Sequence, residues 1–246
     1  MPLSARRALG TFRYAMYFDG VDDYVMIPHA DCFNLTNFTL VVWFRELYQS
    51  KMGWSSLLCK NSATMYYNPY RLMFKHTDIY IFEVAVWDGT TTNSISTTTT
   101  KDQLWHMVAG TYDLSYLRIY YDGTLRNSLS SNIIPQQNTY PLYTMVWYVE
   151  YGRGYIYQIL AYSRALSATE ISQLYSKPDI PPANGLILWL KADPSNIEDI
   201  NNDGILEWID LSGNNNHGRI YGATLTKIVK DPISVSQPRR ILSVVR

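Results

Sequence analysis

Apolar and polar residues alternate with a period of two through much of the chain up to Tyr162. In Leu117-Arg118-Ile119-Tyr120-Tyr121, for example, Leu117, Ile119 and Tyr121 fall on one side and Arg118 and Tyr120 on the other. A strand with one buried and one wet face has this pattern. Runs rich in Val, Ile, Tyr, Phe, Trp and Thr predict strands at Ala15–Phe18, Tyr24–Ile27, Thr39–Arg45, Ser56–Cys59, Arg71–Lys75 and Ile79–Val86. The series continues with Ser94–Thr99, His106–Tyr112, Leu117–Tyr121, Met145–Val149 and Tyr155–Tyr162. Asp88-Gly89 and Asp122-Gly123 predict hairpin turns. A helix is expected behind Ser167-Ala168-Thr169-Glu170, a capping-box pattern followed by an apolar face of Ile171, Leu174 and Tyr175. Many short strands with one short helix make the fold all-β, an antiparallel two-sheet sandwich.

Past the helix the pattern changes. Ser176–Asn184 holds three prolines in nine residues, which stop a helix and favour an extended linker. Beyond it come a strand at Gly185–Lys191, an Asn/Asp/Gly-rich stretch to His217, and short apolar runs at Ile220–Tyr221 and Ile241–Val245. The 246 residues allow one large all-β domain or a medium domain with an appendage, and 47% hydrophobic content supports a sizeable core.

Charge narrows the partners. Lysine plus arginine and aspartate plus glutamate number 21 each, so there is no basic footprint for nucleic acid. No run reaches the ~18 apolar residues of a membrane helix, and Met1–Gly10 carries Arg6 and Arg7 without the apolar stretch of a secretory signal. Neither nucleic acid nor membrane insertion is therefore expected. Cys32 and Cys59 allow one bridge or two thiols. The 21 tyrosines and 7 tryptophans suit half-exposed strand faces and contact surfaces alike.

Asp199-Ile-Asn201-Asn-Asp203-Gly204, with Asp210 at the twelfth position, matches the alternating oxygen pattern of a calcium loop. The same residues also suit a plain turn between two strands. No catalytic residue is assigned. Glu83 and Glu150 are isolated, and His29, His76, His106 and His217 lack metal-ligand spacing. Asn34-Leu-Thr36 and Asn37-Phe-Thr39 are formal glycosylation sequons.

The run AMYFDGVDDYVMIP (Ala15–Pro28) resembles the opening strand pair of laminin-G-like jelly rolls in the concanavalin A-like lectin/glucanase superfamily. FTLVVWF (Phe38–Phe44), LWHMVAGTYD with LRIYYDGTL (Leu104–Leu125), and GRGYIYQILAYSRALSATEISQLY (Gly152–Tyr175) resemble its later pieces, in order. The resemblance implies a concanavalin A-like jelly roll over residues 12–176, a linker at 177–184 and a C-terminal segment at 185–246. GLILWLKAD (Gly185–Asp193) with WIDLSGNNNHGRIYGAT (Trp208–Thr224) is similar to the part that normally leads the family's domain. This tail is a small subdomain, or it completes its own sandwich, or it completes a neighbour's.

Some relatives in the superfamily bind calcium at the sandwich rim, and Asp19, Asp22 and Asp23 sit in the matching loop; Asp19-Gly20 also suits a simple turn. The paired-carboxylate strand of the glucanases has no counterpart here. Sugars stack on aromatic rings, and Trp54, Tyr66, Tyr67, Tyr70, Trp87, Tyr148 and Tyr151 are the candidate glycan platform. Two functions are expected from this. The first is a non-catalytic surface or virion protein that uses the sandwich for assembly or attachment, located on an extracellular surface or a virus particle, with itself or other such proteins as partners. The second is a soluble lectin domain that binds glycans with calcium.

Overall fold

The computed structural model describes residues 12–47, 53–61, 68–77 and 79–228. The alternating segments assemble into two antiparallel sheets that bury their apolar stripes against each other, the jelly-roll sandwich expected from the sequence.

The eight-stranded sheet runs in the order β10 (Thr124–Ser130), β9 (Tyr116–Tyr121), β8 (His106–Tyr112), β3 (Phe38–Glu46), β14 (Arg153–Tyr162), β1 (Tyr14–Asp19) and β19 (Thr224–Lys227). Its eighth member, β15 (Leu186–Lys191), also pairs with β14. The nine-stranded sheet runs β16 (Ile197–Glu198), β17 (Glu207–Trp208), β18 (Gly218–Tyr221), β2 (Tyr24–Ile27), β11 (Leu142–Thr144), β4 (Gly53–Lys60), β5 (Tyr70–His76), β6 (Tyr80–Trp87) and β7 (Thr92–Thr99). Between the sheets lie Phe18, Val25, Phe44, Leu72, Val84, Ile119 and Ile156, all buried. The sheets approach so closely at Gly110 that a Cβ there would sit 2.5 Å from Val84 Cγ2.

A second apolar layer covers the outer face of the eight-stranded sheet. Helix α1 (Ala168–Ser176) lays Ile171 and Leu174 on Trp43, Tyr157, Leu160 and Tyr162, and the Tyr175 ring stacks on Trp43 at 5.4 Å. Its start is the capping box read from the sequence: Ser167 Oγ accepts from Glu170 N at 3.3 Å, and the Glu170 carboxylate accepts from Ser167 N at 2.8 Å. Arg164 also binds Glu170, and that hydrogen bond is the main reason the carboxyl is held down to about 2. Replacing Ser167 by Ala is expected to cost about 1 kcal/mol in a urea titration.

The tail adds strands to both sheets of its own chain. β1 pairs with Arg153–Ile156 of β14, and β15 takes the same flank of β14 further along, from Gln158 to Tyr162. β18 pairs with β2, and β19 pairs with β1. Leu188, Leu190 and Trp208 are fully buried in the core that joins the two sheets. At the far end, Ile228 N donates to Arg13 O at 2.8 Å. The linker is pinned as it crosses: Gln158 Nε2 donates to Pro178 O at 3.0 Å, the Tyr157 hydroxyl donates to Asp179, and Lys191 pairs with Asp179.

Three readings need correction or closure. Met145–Val149 is not one strand: Met145 and Tyr148 adopt φ of 64° and 61°, so the chain bends into a hairpin of β12 (Val146–Trp147) and β13 (Glu150–Tyr151). Strand β10 was not expected, because its side chains are almost all exposed and show no apolar alternation. Cys32 and Cys59 are both free thiols, and burial pushes the Cys59 thiol up to about 12. The apolar run Ile241–Val245 lies outside the described residues. Among the described residues no helix is long and apolar enough to cross a membrane.

His106 joins the start of β8 to two carboxylates, with Nδ1 2.9 Å from Asp122 and Nε2 2.9 Å from Asp102. This geometry suits the imidazolium, which alone can donate from both ring nitrogens to two ionised carboxylates. Burial alone would lower its pKa, but the hydrogen bonds and charges of Asp122 and Asp102 outweigh burial and raise it. A raised histidine contributes stability fully below its unfolded pKa, about 6.5, and loses it as pH rises through the folded value. The wild type is thus expected to lose more urea resistance than His106→Asn as pH rises above about 6.5.

Candidate functional site

The outer face of the nine-stranded sheet is built from the polar phase of the same alternation. In β2, Val25 and Ile27 point into the core, which sends Tyr24 and Met26 outward. Register then sets Tyr221 opposite Tyr24, and both Arg219 and Tyr143 beside Met26. The Tyr24 and Tyr221 rings stack, with centroids 4.6 Å apart and planes 14° from parallel. Tyr143 lies 6.0 Å from Tyr24. All three are half-buried. Burial, and then the neighbouring phenols, raise the pKa values of Tyr24 and Tyr143, so these hydroxyls stay protonated and able to donate. Tyr151 adds to this effect on Tyr24.

The β12–β13 hairpin lies over the next part of this face. Trp147 packs on Cys59 and Met73, with Trp54 and Tyr143 at the margin. Ser56 Oγ donates to Val146 O at 2.7 Å, and Trp54 N donates to Glu150 Oε2 at 2.6 Å. The absence of a side chain at Gly53 lets this contact form as it stands, since a Cβ there would lie 2.6 Å from the Glu150 carboxyl carbon and push that side chain aside. Arg71 pairs with Glu83 at 3.0 Å and lies 6.0 Å over the Trp147 ring, and Lys75 lies 5.6 Å over Trp54. The hairpin tip leaves Tyr148 49% exposed.

At the other end of the stacked tyrosines is an acidic corner. Carboxylate oxygens of Asp19, Asp22 and Asp23 lie within 4.8 Å of one another. Asp23 is buried; its Oδ2 accepts from Asp19 N at 2.8 Å, while Asp19 Oδ1 accepts from Val21 N at 2.7 Å. Burial and the charges of Asp19 and Asp22 raise the pKa of Asp23. Gly222 is pressed against it, at φ 73°, where a Cβ would fall 2.0 Å from Asp23 Oδ1. A cleft of ≈ 420 Å³ opens beside the corner, lined by Asp22, Leu206, Ile220, Tyr221, Gly222 and Ala223.

The other candidate residues are scattered. Tyr66 and Tyr67 lie outside the described residues. Tyr70 is 1% exposed and donates to Phe33 O at 2.8 Å, so its ring is core and offers no platform. Trp87 stands on β6, four strands from β2. Asp199 closes its own turn by accepting from Asp203 N at 3.1 Å and Gly204 N at 3.0 Å, while Asn201 Nδ2 donates to Glu207 at 2.7 Å. Asp203 pairs with Arg219, and Asp210 is buried elsewhere, accepting from Trp189 N, Ser212 N and Asn216 N. These oxygens do not converge; Asp19, Asp22 and Asp23 do. Tyr24, Tyr143, Trp147 and Tyr221 were missed, although alternation within Tyr24-Val-Met-Ile27 already marks Tyr24 as outward.

A family model of the concanavalin A-like lectin/glucanases superfamily matches residues 19–172. The chain belongs to this superfamily. Among solved structures it is similar to a provisionally assigned carbohydrate-binding protein from Bacteroides ovatus, at 17% identity and a TM-score of 0.65, over 88% of this chain and 60% of that one. It is also similar to a native heptameric SAP-like pentraxin from Limulus polyphemus, at 12% identity and a TM-score of 0.53, over 70% and 85% of the two chains. A third is the CBM40 of the IT-sialidase of Ruminococcus gnavus, bound to α2,3-sialyllactose, at 11% identity and a TM-score of 0.50, over 68% and 100%. The present chain thus spans 60% of the first of these proteins. No curated protein matches the sequence.

Proposed function

We propose that this concanavalin A-like domain is a non-catalytic carbohydrate-binding module whose site is the outer face of the nine-stranded sheet. The observation that carries the reading is the stacked, half-exposed Tyr24–Tyr221 pair beside the acidic corner. Tyrosine faces suit the apolar face of a pyranose, and their neutral hydroxyls suit its polar groups. Tyr143 extends the surface towards the hairpin, where Tyr148 and Tyr151 flank an incoming chain. Calcium fits the corner as a hard cation among oxygen ligands, with Asp19, Asp22 and Asp23 as its holders. It would offset the burial and the repulsion from Asp19 and Asp22 that together raise the Asp23 pKa. The sialyllactose bound by the Ruminococcus protein and the provisional carbohydrate-binding assignment of the Bacteroides protein support the same ligand class. In this reading the domain serves attachment to a glycan-bearing surface, on a cell or a particle.

A glycan array read with and without calcium tests the proposal, followed by titration of the best ligand. Tyr24→Ala/Tyr221→Ala is expected to weaken binding by about 10- to 100-fold, the scale of removing one to three kcal/mol of contact. Unchanged affinity in a folded double variant would move the site elsewhere.

A further inference from the structure

A second cleft, also ≈ 420 Å³, lies between the loop after β2 and the asparagine-rich loop before β18. Its walls include His29, Asn201, Glu207, Asn214, His217 and Arg219. The chemistry of this set excludes most ligand classes. His217 Nδ1 accepts the backbone N–H of Asp210 at 3.0 Å, so in the neutral ring the hydrogen sits on Nε2. Lys60, fully buried, donates from Nζ to His29 Nδ1 at 3.0 Å and to Tyr140 O at 3.1 Å, which again leaves the hydrogen on Nε2. Burial and this ammonium also lower the pKa of His29. Both neutral rings therefore carry their hydrogen on Nε2; that of His29 faces the exposed Asp31 carboxylate at 3.6 Å, too far for a hydrogen bond, so it stays open to a ligand, and neither ring keeps a lone pair for a transition metal.

An anion is disfavoured as well. Arg219 pairs with Asp203 and lies 4.0 Å from Glu207, so two carboxylates face one guanidinium. Glu207 is 1% exposed and accepts from Ile200 N at 3.0 Å and Asn201 Nδ2 at 2.7 Å, one bond to each carboxylate oxygen, so it fixes the Asn201 amide. Asn214 and Asn216 are anchored through their amide nitrogens to Leu186 O and Ile187 O of β15, which leaves their carbonyl oxygens as acceptors. Fixed neutral donors beside amide acceptors match a ligand whose groups both donate and accept at short spacing. Sugar hydroxyls do this.

We propose that this cleft is a second saccharide subsite, which takes a neutral sugar through its hydroxyls with His29 and His217 as donors. It shares a ligand class with the tyrosine face but rests on its own geometry. The test is the long-range proton–nitrogen spectrum of the histidine rings during titration of the full chain. The probes are galactose, glucose, N-acetylglucosamine and N-acetylgalactosamine, each to about 100 mM, two decades above a millimolar dissociation constant. Saturable shifts of the His29 and His217 ring signals are expected with at least one sugar, and equally in Tyr24→Ala/Tyr221→Ala. Asn215 also lines the cleft, and Asn215→Gly removes its side chain while keeping the left-handed backbone at φ 57°; this mild variant is expected to weaken that response by about threefold or more. Ring signals unmoved by all four sugars, or moved only by zinc or sulfate, would overturn the subsite. Glycan binding lost in the tyrosine variant with the ring shifts intact would separate the two sites. A ring response that vanishes with the tyrosines would remove the second site and leave the first.

Discussion

A chain stopped at Ser176 is expected to lose cooperative folding. The truncation exposes the flank of β14 from Gln158 to Tyr162, which β15 otherwise pairs. It also strips Leu188, Leu190 and Trp208 from a core in which each is fully buried. Emptying one buried leucine to alanine costs about 2–5 kcal/mol and a tryptophan about 3–5, while a whole domain holds only about 5–15. The three losses together reach that total. The expected result is a near-UV circular dichroism spectrum without native bands and a urea titration without a sigmoidal transition. A shortened chain that unfolds cooperatively would mean that residues 185–228 are an addition to the sandwich rather than a part of it.

The second large effect is expected at the acidic corner. If Asp19, Asp22 and Asp23 hold calcium, free ion at about a hundred times the dissociation constant adds about 2.7 kcal/mol of stability. For a domain of this size that raises the melting temperature by roughly 5 to 10 °C over a chelator control. Without the ion the sign is opposite to that of an ordinary paired carboxylate. Asp23 has a raised pKa, so its contribution is present at low pH and is lost as pH rises through that pKa. Calcium favours the charged form and should flatten this dependence. Asp23→Asn should abolish both the calcium shift and the pH dependence, as read by scanning calorimetry. A wild-type melting temperature insensitive to calcium would remove the ion from this corner.

Much of the fold was legible because it rests on a local period. Val25 and Ile27, or Leu117 and Ile119, declare their inward side within a few residues, and Ser167 with Glu170 declares a helix start. β10 was illegible for the same reason: its exposed side chains carry no apolar phase, and it is held by backbone pairing with β9. The candidate site was less legible. Tyr24, Tyr143 and Tyr221 lie far apart in the chain and become neighbours only through the order β18–β2–β11. Tyr70 misled in the other direction, since its alternation with Arg71 is equally consistent with either face until its partners are known. The Asp199 loop shows that ligand spacing along a sequence does not fix ligand direction: its carboxylates turn back onto its own backbone.

The hydrogen bond from Ile228 to Arg13 has a consequence for how this module could be mounted. The two ends of the described chain leave from one point, at the β1–β19 edge of the eight-stranded sheet. A stalk or a neighbouring domain joined directly at Phe12 or at Ile228 would therefore grip the molecule at the same place. The tyrosine face belongs to the other sheet, so such a graft would hold the module by one sheet and present its sugar surface on the other.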